Sequence, residues 1–294
     1  MKQKKSIIYV VAGALLWGTY GSFVTKISGM GLGQNALVFL RFLFTAVPIL
    51  LFLLFSKRKE ELKIHKKDIP LFLANGIVSI VFFTSCYTAA IRYTKIATAA
   101  ALLYTAPAIV LLFSAAVFHE KLTKKKLLCV LAAVVGCALC SGIAGDAGLT
   151  LQGLLLGLGA GLGYALYSIF SRLLQNRGYS TLTNIVYTFG IATAVYFVMS
   201  IIDGTIVGAA EIPGATLLSI LMGIFTGCAA YLLYTEGLKG MKPSNASVIA
   251  TIEPVTAAIL GVLLFRQTLS IVEILGIVLV VGSVIAMNLG GEKE

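Results

Sequence analysis

Glu253 stands roughly eight residues into an apolar run of this 294-residue chain, directly before Pro254. At mid-depth in hydrocarbon an ionisable group costs at least ~2.5 kcal/mol on insertion scales, so it normally faces a cavity or a partner. Its helical neighbours Ala246, Ile249, Ala250 and Ala257 are mostly small, which leaves room beside the carboxylate. Proline has no N–H to donate and frees a carbonyl one turn earlier, so Pro254 predicts a kink beside the acid and Pro107 a second one. Two readings of Glu253 stay open. Either it lines a cavity and meets a proton or a substrate ammonium, or it is a structural carboxylate tied to Arg41 or to backbone.

Around this acid the sequence offers aromatic rings. Trp17 and Tyr20 lie mid-span, three residues apart and roughly opposite a small stripe of Ala14, Gly18 and Ser22. Tyr87, Tyr231 and Tyr234 fall in two further apolar runs, and Tyr104 precedes Pro107 by three residues. Buried tyrosine hydroxyls need partners, which a wet cavity supplies, and aromatic walls suit cations. Core packing with local hydrogen bonds explains any single one of them equally well. Arg41 sits about six residues into its own run. It anchors the outer cavity, pairs with an anionic substrate group, or snorkels to the interface.

Enzymatic constellations are missing. The chain has no G-x-S-x-G, no H-E-x-x-H and no phosphate loop, so no catalytic residue, cofactor or metal is expected. Cys137 and Cys140 form a C-x-x-C inside an apolar run without His or acid beside them, where desolvation disfavours thiolate. With Cys86, Cys129 and Cys228 they read as packing residues. His65 and His119 lie in basic loops and read as solvated. Glu236 and Glu273 stand near span ends, where a structural role is expected.

The elements that position these residues must be membrane helices. The chain is 59% hydrophobic and 12% charged, more apolar surface than one soluble core can hide. A helix crossing the hydrocarbon takes roughly 20 apolar residues. That ruler gives ten spans, near 7–26, 35–55, 69–91, 97–118, 126–144, 150–171, 181–202, 215–235, 245–265 and 270–288. The net charge of +11 needs no nucleic acid. With both termini cytoplasmic, eighteen Lys and Arg fall inside, Lys121, Lys124, Lys125 and Lys126 among them; only Lys26, Arg92, Lys95 and Arg266 fall outside. This is the positive-inside pattern. No small-x-small cleavage site follows Lys2, Lys4 and Lys5 before Trp17, so the first span reads as a retained helix.

The chain also repeats itself. The segment from Cys86 aligns without a gap on that from Leu233, placing Tyr87 on Tyr234, Lys95 on Lys242, Pro107 on Pro254 and Phe118 on Phe265. The offset of 147 is half of 294. Five spans per copy, an odd number, force the second copy to enter the membrane upside down. The expected fold is therefore all-α: ten transmembrane helices in two inverted five-helix repeats, 1–146 and 147–294, around a central cavity. Small-xxx-small stripes at Gly153, Gly157 and Gly161, and at Ala14, Gly18 and Ser22, mark close helix approach. They serve either static packing or surfaces over which helices rock.

With these residues in place the chain resembles the EamA-type members of the drug/metabolite transporter superfamily, over its whole length and twice. Trp17-Gly18 with Lys26, Phe39-Leu40-Arg41, and Pro107 followed by His119-Glu120-Lys121-Leu122 carry the first match. Gly161 to Tyr164 with Arg172, Ala246-Ser247, Glu253-Pro254 and Gly276 with Gly282 carry the second; Gln267 stands where the pattern often has a Glu. The resemblance implies movement of small metabolites, many members being exporters of amino acids or related compounds. The expectation is a multi-pass secondary transporter of small polar metabolites in an inner membrane. It works by alternating access with a proton or an exchange substrate as coupling partner, as a monomer or homodimer. The rivals are an organic cation or drug carrier and a non-transporting subunit or lipid-handling protein. The candidate binding residues are Trp17, Tyr20, Arg41, Tyr87, Tyr104, Tyr231, Tyr234 and Glu253.

Overall fold

The computed structural model describes residues 2–94, 96–141, 150–266 and 268–288. Lys95, Asp146, Gln267, Lys293 and the junction between the copies lie outside the described residues. Every regular element among the described residues is helical, as a backbone that must satisfy its own hydrogen bonds in hydrocarbon requires. Among the described residues nine helices are long and apolar enough to cross a membrane: Gln3–Gly29, Gln34–Phe55, Lys66–Tyr93, Ile96–Phe118, Leu151–Asn176, Thr181–Ile202, Pro213–Leu238, Pro243–Phe265 and Ile271–Asn288. The remaining expected span is Lys124–Cys140, 17 residues long. In chain order these are spans one to ten, with Lys124–Cys140 as span five.

Helix starts follow local chemistry. Thr123, Thr150 and Ser180 cap spans five, six and seven, accepting from the N–H of Lys126, Gly153 and Thr183 at 3.2, 3.1 and 3.2 Å. Pro213 and Pro243 open spans eight and nine, where a missing N–H is harmless.

The duplication reaches the backbone. Spans four and nine both break three residues before their proline, at Tyr104–Thr105 and at Thr251. Both end on a left-handed residue, His119 at φ 55° and Arg266 at φ 54°. Gly31 and Gly178, again 147 apart, take φ 92° and 86° after spans one and six, a conformation that glycine adopts without a Cβ penalty. Spans three and eight both widen into π-helical turns, at Ala74–Val81 and Gly223–Ala229. There Gly76 lies so close to span seven that a Cβ would stand 2.8 Å from that of Ile191; Gly223 approaches Phe44 on span two equally closely. Ile191 and Phe44 are themselves repeat equivalents.

Packing obeys the same exchange. Span three packs on span six and span eight on span one; span four packs on six and nine on one; two pairs with seven and five with ten. Each copy therefore embraces the other, and the result is two inverted five-helix repeats around a central cavity. The glycine stripe of span six is where span four rests, since Gly161 faces the Leu102 carbonyl at 3.1 Å from a Cβ.

Span one departs from its twin. It is broken at Thr19, whose hydroxyl and N–H both bond the Leu16 carbonyl, whereas span six runs unbroken. The break bears on an expectation. Gly18 and Ser22 do not lie opposite Trp17 and Tyr20 but line the same cavity with them. Lys126, counted among the inside lysines, is 3% exposed and held against Glu120 at 3.4 Å.

Candidate functional site

Glu253 lies in the first turn of the helix Ile252–Phe265 that follows the break in span nine. A helix N-terminus carries partial positive charge and suits a carboxylate. Its Oε2 accepts a hydrogen bond from the Tyr164 hydroxyl of span six at 3.2 Å. The carboxylate faces a central cavity of about 410 Å³ whose wall includes Trp17, Tyr20, Arg41, Tyr87, Tyr104, Tyr164 and Tyr231, with Gln34 and Arg92 towards the mouth. A neighbouring cleft of about 510 Å³ shares Trp17, Tyr20, Tyr87, Tyr104 and Glu253 and continues past Ala257 to Glu273. Ala257 is one of the small neighbours read beside the acid. Both spaces run toward Thr25 and Ile96, the end of the bundle away from the N-terminus.

Arg41 is 6% exposed, and its guanidinium carbon sits 4.4 Å from the centroid of the Tyr20 ring. Among the described residues it makes no ion pair with Glu253 within 4 Å, so the two charges face one cavity unjoined. Among the described residues three polar groups on this wall are buried without a hydrogen-bond partner: Trp17 Nε1, Arg41 Nε and Thr84 Oγ1. The Trp17 ring packs edge-on against Tyr231 at 4.9 Å and Tyr164 at 6.0 Å. Tyr104 is 7% exposed and Tyr87 half-buried against Phe83. Glu273 accepts from the Ser270 N–H at 2.7 Å as a helix cap, and Glu236 pairs with Lys239 at 2.6 Å.

Of the eight candidate residues, seven line the cavity. Tyr234 does not. Its ring lies under Trp17 at 5.0 Å and its hydroxyl is bonded to Ser168 Oγ at 2.7 Å. It belongs to a plug that closes the N-terminal end. There Tyr167 and Thr235 share a hydrogen bond of 2.6 Å, Gln175 donates to the Thr235 carbonyl at 2.6 Å, and Arg172 donates to the Met241 carbonyl. Glu120 accepts from Ser244 in the same region. The protein is thus sealed at one end and open at the other. Sequence reasoning passed over two site residues, Tyr164 and Thr84. The 147-residue offset, which Gly31 and Gly178 carry into spans one and six, places Tyr164 on Trp17.

Comparison with known proteins agrees with this architecture. The sequence model of the EamA-like transporter family matches twice, over residues 4–142 and 151–289. An uncharacterized transporter of Archaeoglobus fulgidus is 28% identical over 94% of this chain and 93% of its own length. The uncharacterized transporter YwfM of Bacillus subtilis is 26% identical over 100% and 97%. The uncharacterized inner membrane transporter YicL of Salmonella typhimurium is 21% identical over 99% and 97%. A crystal structure covering 98% of this chain and 97% of its own superposes with a TM-score of 0.82 at 19% identity, a likeness of fold. A doubled family match over nearly the whole length, on a ten-span helical bundle with a central cavity, makes this chain a multi-pass membrane transporter that belongs to the EamA-like transporter family.

Proposed function

We propose that this transporter moves small zwitterionic metabolites of the amino-acid type, outward across a bacterial-type inner membrane with both termini in the cytoplasm. One observation carries the reading. Three buried donors, Trp17 Nε1, Arg41 Nε and Thr84 Oγ1, lack partners on the wall of a cavity whose one deep acid is Glu253. A buried unsatisfied donor costs about 1–3 kcal/mol, and a ligand carboxylate would answer all three. The ligand ammonium then falls to Glu253 and the surrounding rings. Because Arg41 and Glu253 are not joined, neither charge must be freed before the ligand binds.

A cavity sealed at one end supports alternating access, with Glu253 as the group that carries a coupling proton or an exchanged ammonium. An organic cation carrier is the weaker reading, because the Arg41 guanidinium in the same cavity repels a ligand with no anionic group. Counterflow in proteoliposomes tests the choice directly. The expected result is exchange with neutral amino acids and none with amines that lack a carboxylate. Exchange with amines alone would overturn the reading. Flux against an imposed proton gradient, compared with flux against internal substrate, separates the two coupling modes.

A further inference from the structure

The plug at the closed end has a twin at the open end. Subtracting 147 from Tyr167 and Thr235 gives Tyr20 and Thr88; subtracting it from Ser168 and Tyr234 gives Gly21 and Tyr87. The first set is bonded and buried: Tyr167 to Thr235 at 2.6 Å and Tyr234 to Ser168 at 2.7 Å. The second set lines the open cavity, with Tyr20 stacked on Arg41 instead. The first set joins spans six and eight, and the second lies on their twins, spans one and three.

We propose that Tyr20 and Thr88 form the latch of the opposite end, closing as a Tyr–Thr hydrogen bond when the Tyr167–Thr235 and Tyr234–Ser168 bonds open. This rests on the alternating-access reading and names the residues that regulate its site. The two latches are unequal. Tyr87 meets a glycine where Tyr234 meets a serine, so of these two tyrosine bonds the outer end can form only one. The chain is thereby biased toward the state seen here, plugged at the N-terminal end. Position 21 has room for the missing group, since a Cβ there meets nothing within 4 Å.

Two repeat-equivalent positions report the state without any substrate. Ile91 lines the open cavity, while its twin Leu238 is 0% exposed behind the plug. The experiment uses the full chain in nanodiscs, its five cysteines changed to Ala and one probe cysteine placed at Ile91 or Leu238. Labelling by a polar maleimide is timed for each. Gly21→Ser supplies the hydroxyl for Tyr87, and one added bond raises the ratio of Leu238→Cys to Ile91→Cys labelling about fivefold. Gly21→Ala leaves the ratio unchanged, and Tyr87→Phe on Gly21→Ser returns it to the starting value. Thr88→Val, which needs nothing from position 21, lowers it about fivefold.

An unchanged ratio in both Gly21→Ser and Thr88→Val overturns the proposal. So does an equal rise with Gly21→Ala, which would assign the effect to bulk. Absence of amino-acid counterflow with a responsive ratio would remove the substrate reading and leave the latch standing.

Discussion

The hydroxyl of Tyr164 donates to Glu253 Oε2 at 3.2 Å, tying span six to the start of the helix that follows the break in span nine. Tyr164 holds in the second copy the position that Trp17 holds in the first, and the two rings stand 6.0 Å apart. The acid of the cavity is therefore held by the aromatic of its own copy and shares the cavity with the other copy's Trp17, whose indole N–H is unpartnered.

We predict that Glu253→Gln abolishes gradient-driven flux while the protein stays folded. The substitution keeps an acceptor for Tyr164 and removes charge and titration only. With no Arg41–Glu253 ion pair to break, the loss of folding stability should stay below about 1 kcal/mol, and neutralising Arg41 as well should rescue nothing. Thermal melts in detergent beside proteoliposome flux decide this. A large stability loss, recovered in the double variant, would restore the structural pairing of the two residues.

Arg41→Gln should weaken a carboxylate-bearing ligand about tenfold or more, the scale of one charge-assisted hydrogen bond. The same change should relieve repulsion of simple amines. Competition of an amino acid against its decarboxylated amine reads both effects at once. Equal weakening of both ligands would mean that Arg41 shapes the cavity and does not select by charge.

Gly76→Ala and Gly223→Ala should each destabilise the fold by about 1–3 kcal/mol through overpacking. A Cβ would stand 2.8 Å from Ile191 Cβ in the first and 2.8 Å from the Arg41 carbonyl in the second. Gly190→Ala, which meets nothing within 4 Å, is the matched control. Similar melting temperatures for all three would show that the widened helices absorb the methyl group.

Orientation has its own test. Asp203, exposed and bonded by Asn35 Nδ2 at 2.7 Å, caps the end of the bundle expected to face outward. A cysteine placed there should react with an impermeant reagent in intact cells. Reaction only after permeabilisation would reverse the assigned direction of the open cavity.

The sequence made the repeat and its spans legible because apolar length and a fixed offset need no tertiary information. It also gathered Trp17, Tyr20, Arg41, Tyr87, Tyr104, Tyr231 and Glu253, since mid-depth polar groups have few places to go. Tyr234 was assigned to the cavity for its likeness to Tyr87, and that likeness misled. Twin residues occupy opposite ends of the axis, and no sequence says which end is open. Tyr164 was masked by the glycines around it, which spoke for packing. Lys126 looked like one more loop lysine because the burial that unites it with Glu120 depends on where span nine begins.

Arg41 and Glu253 come from different copies, and neither has a charged counterpart. Thr188 stands opposite Arg41 under the offset, bonded into a buried amide network with Asn75, and Ala106 stands opposite Glu253. Two identical copies assembled antiparallel would have presented each charge twice, symmetrically about the axis, and could not have told one end of a ligand from the other. Joining the copies in one polypeptide released each from mirroring its mate. The cavity could then acquire a head and a tail, and a symmetric scaffold came to hold an oriented dipole.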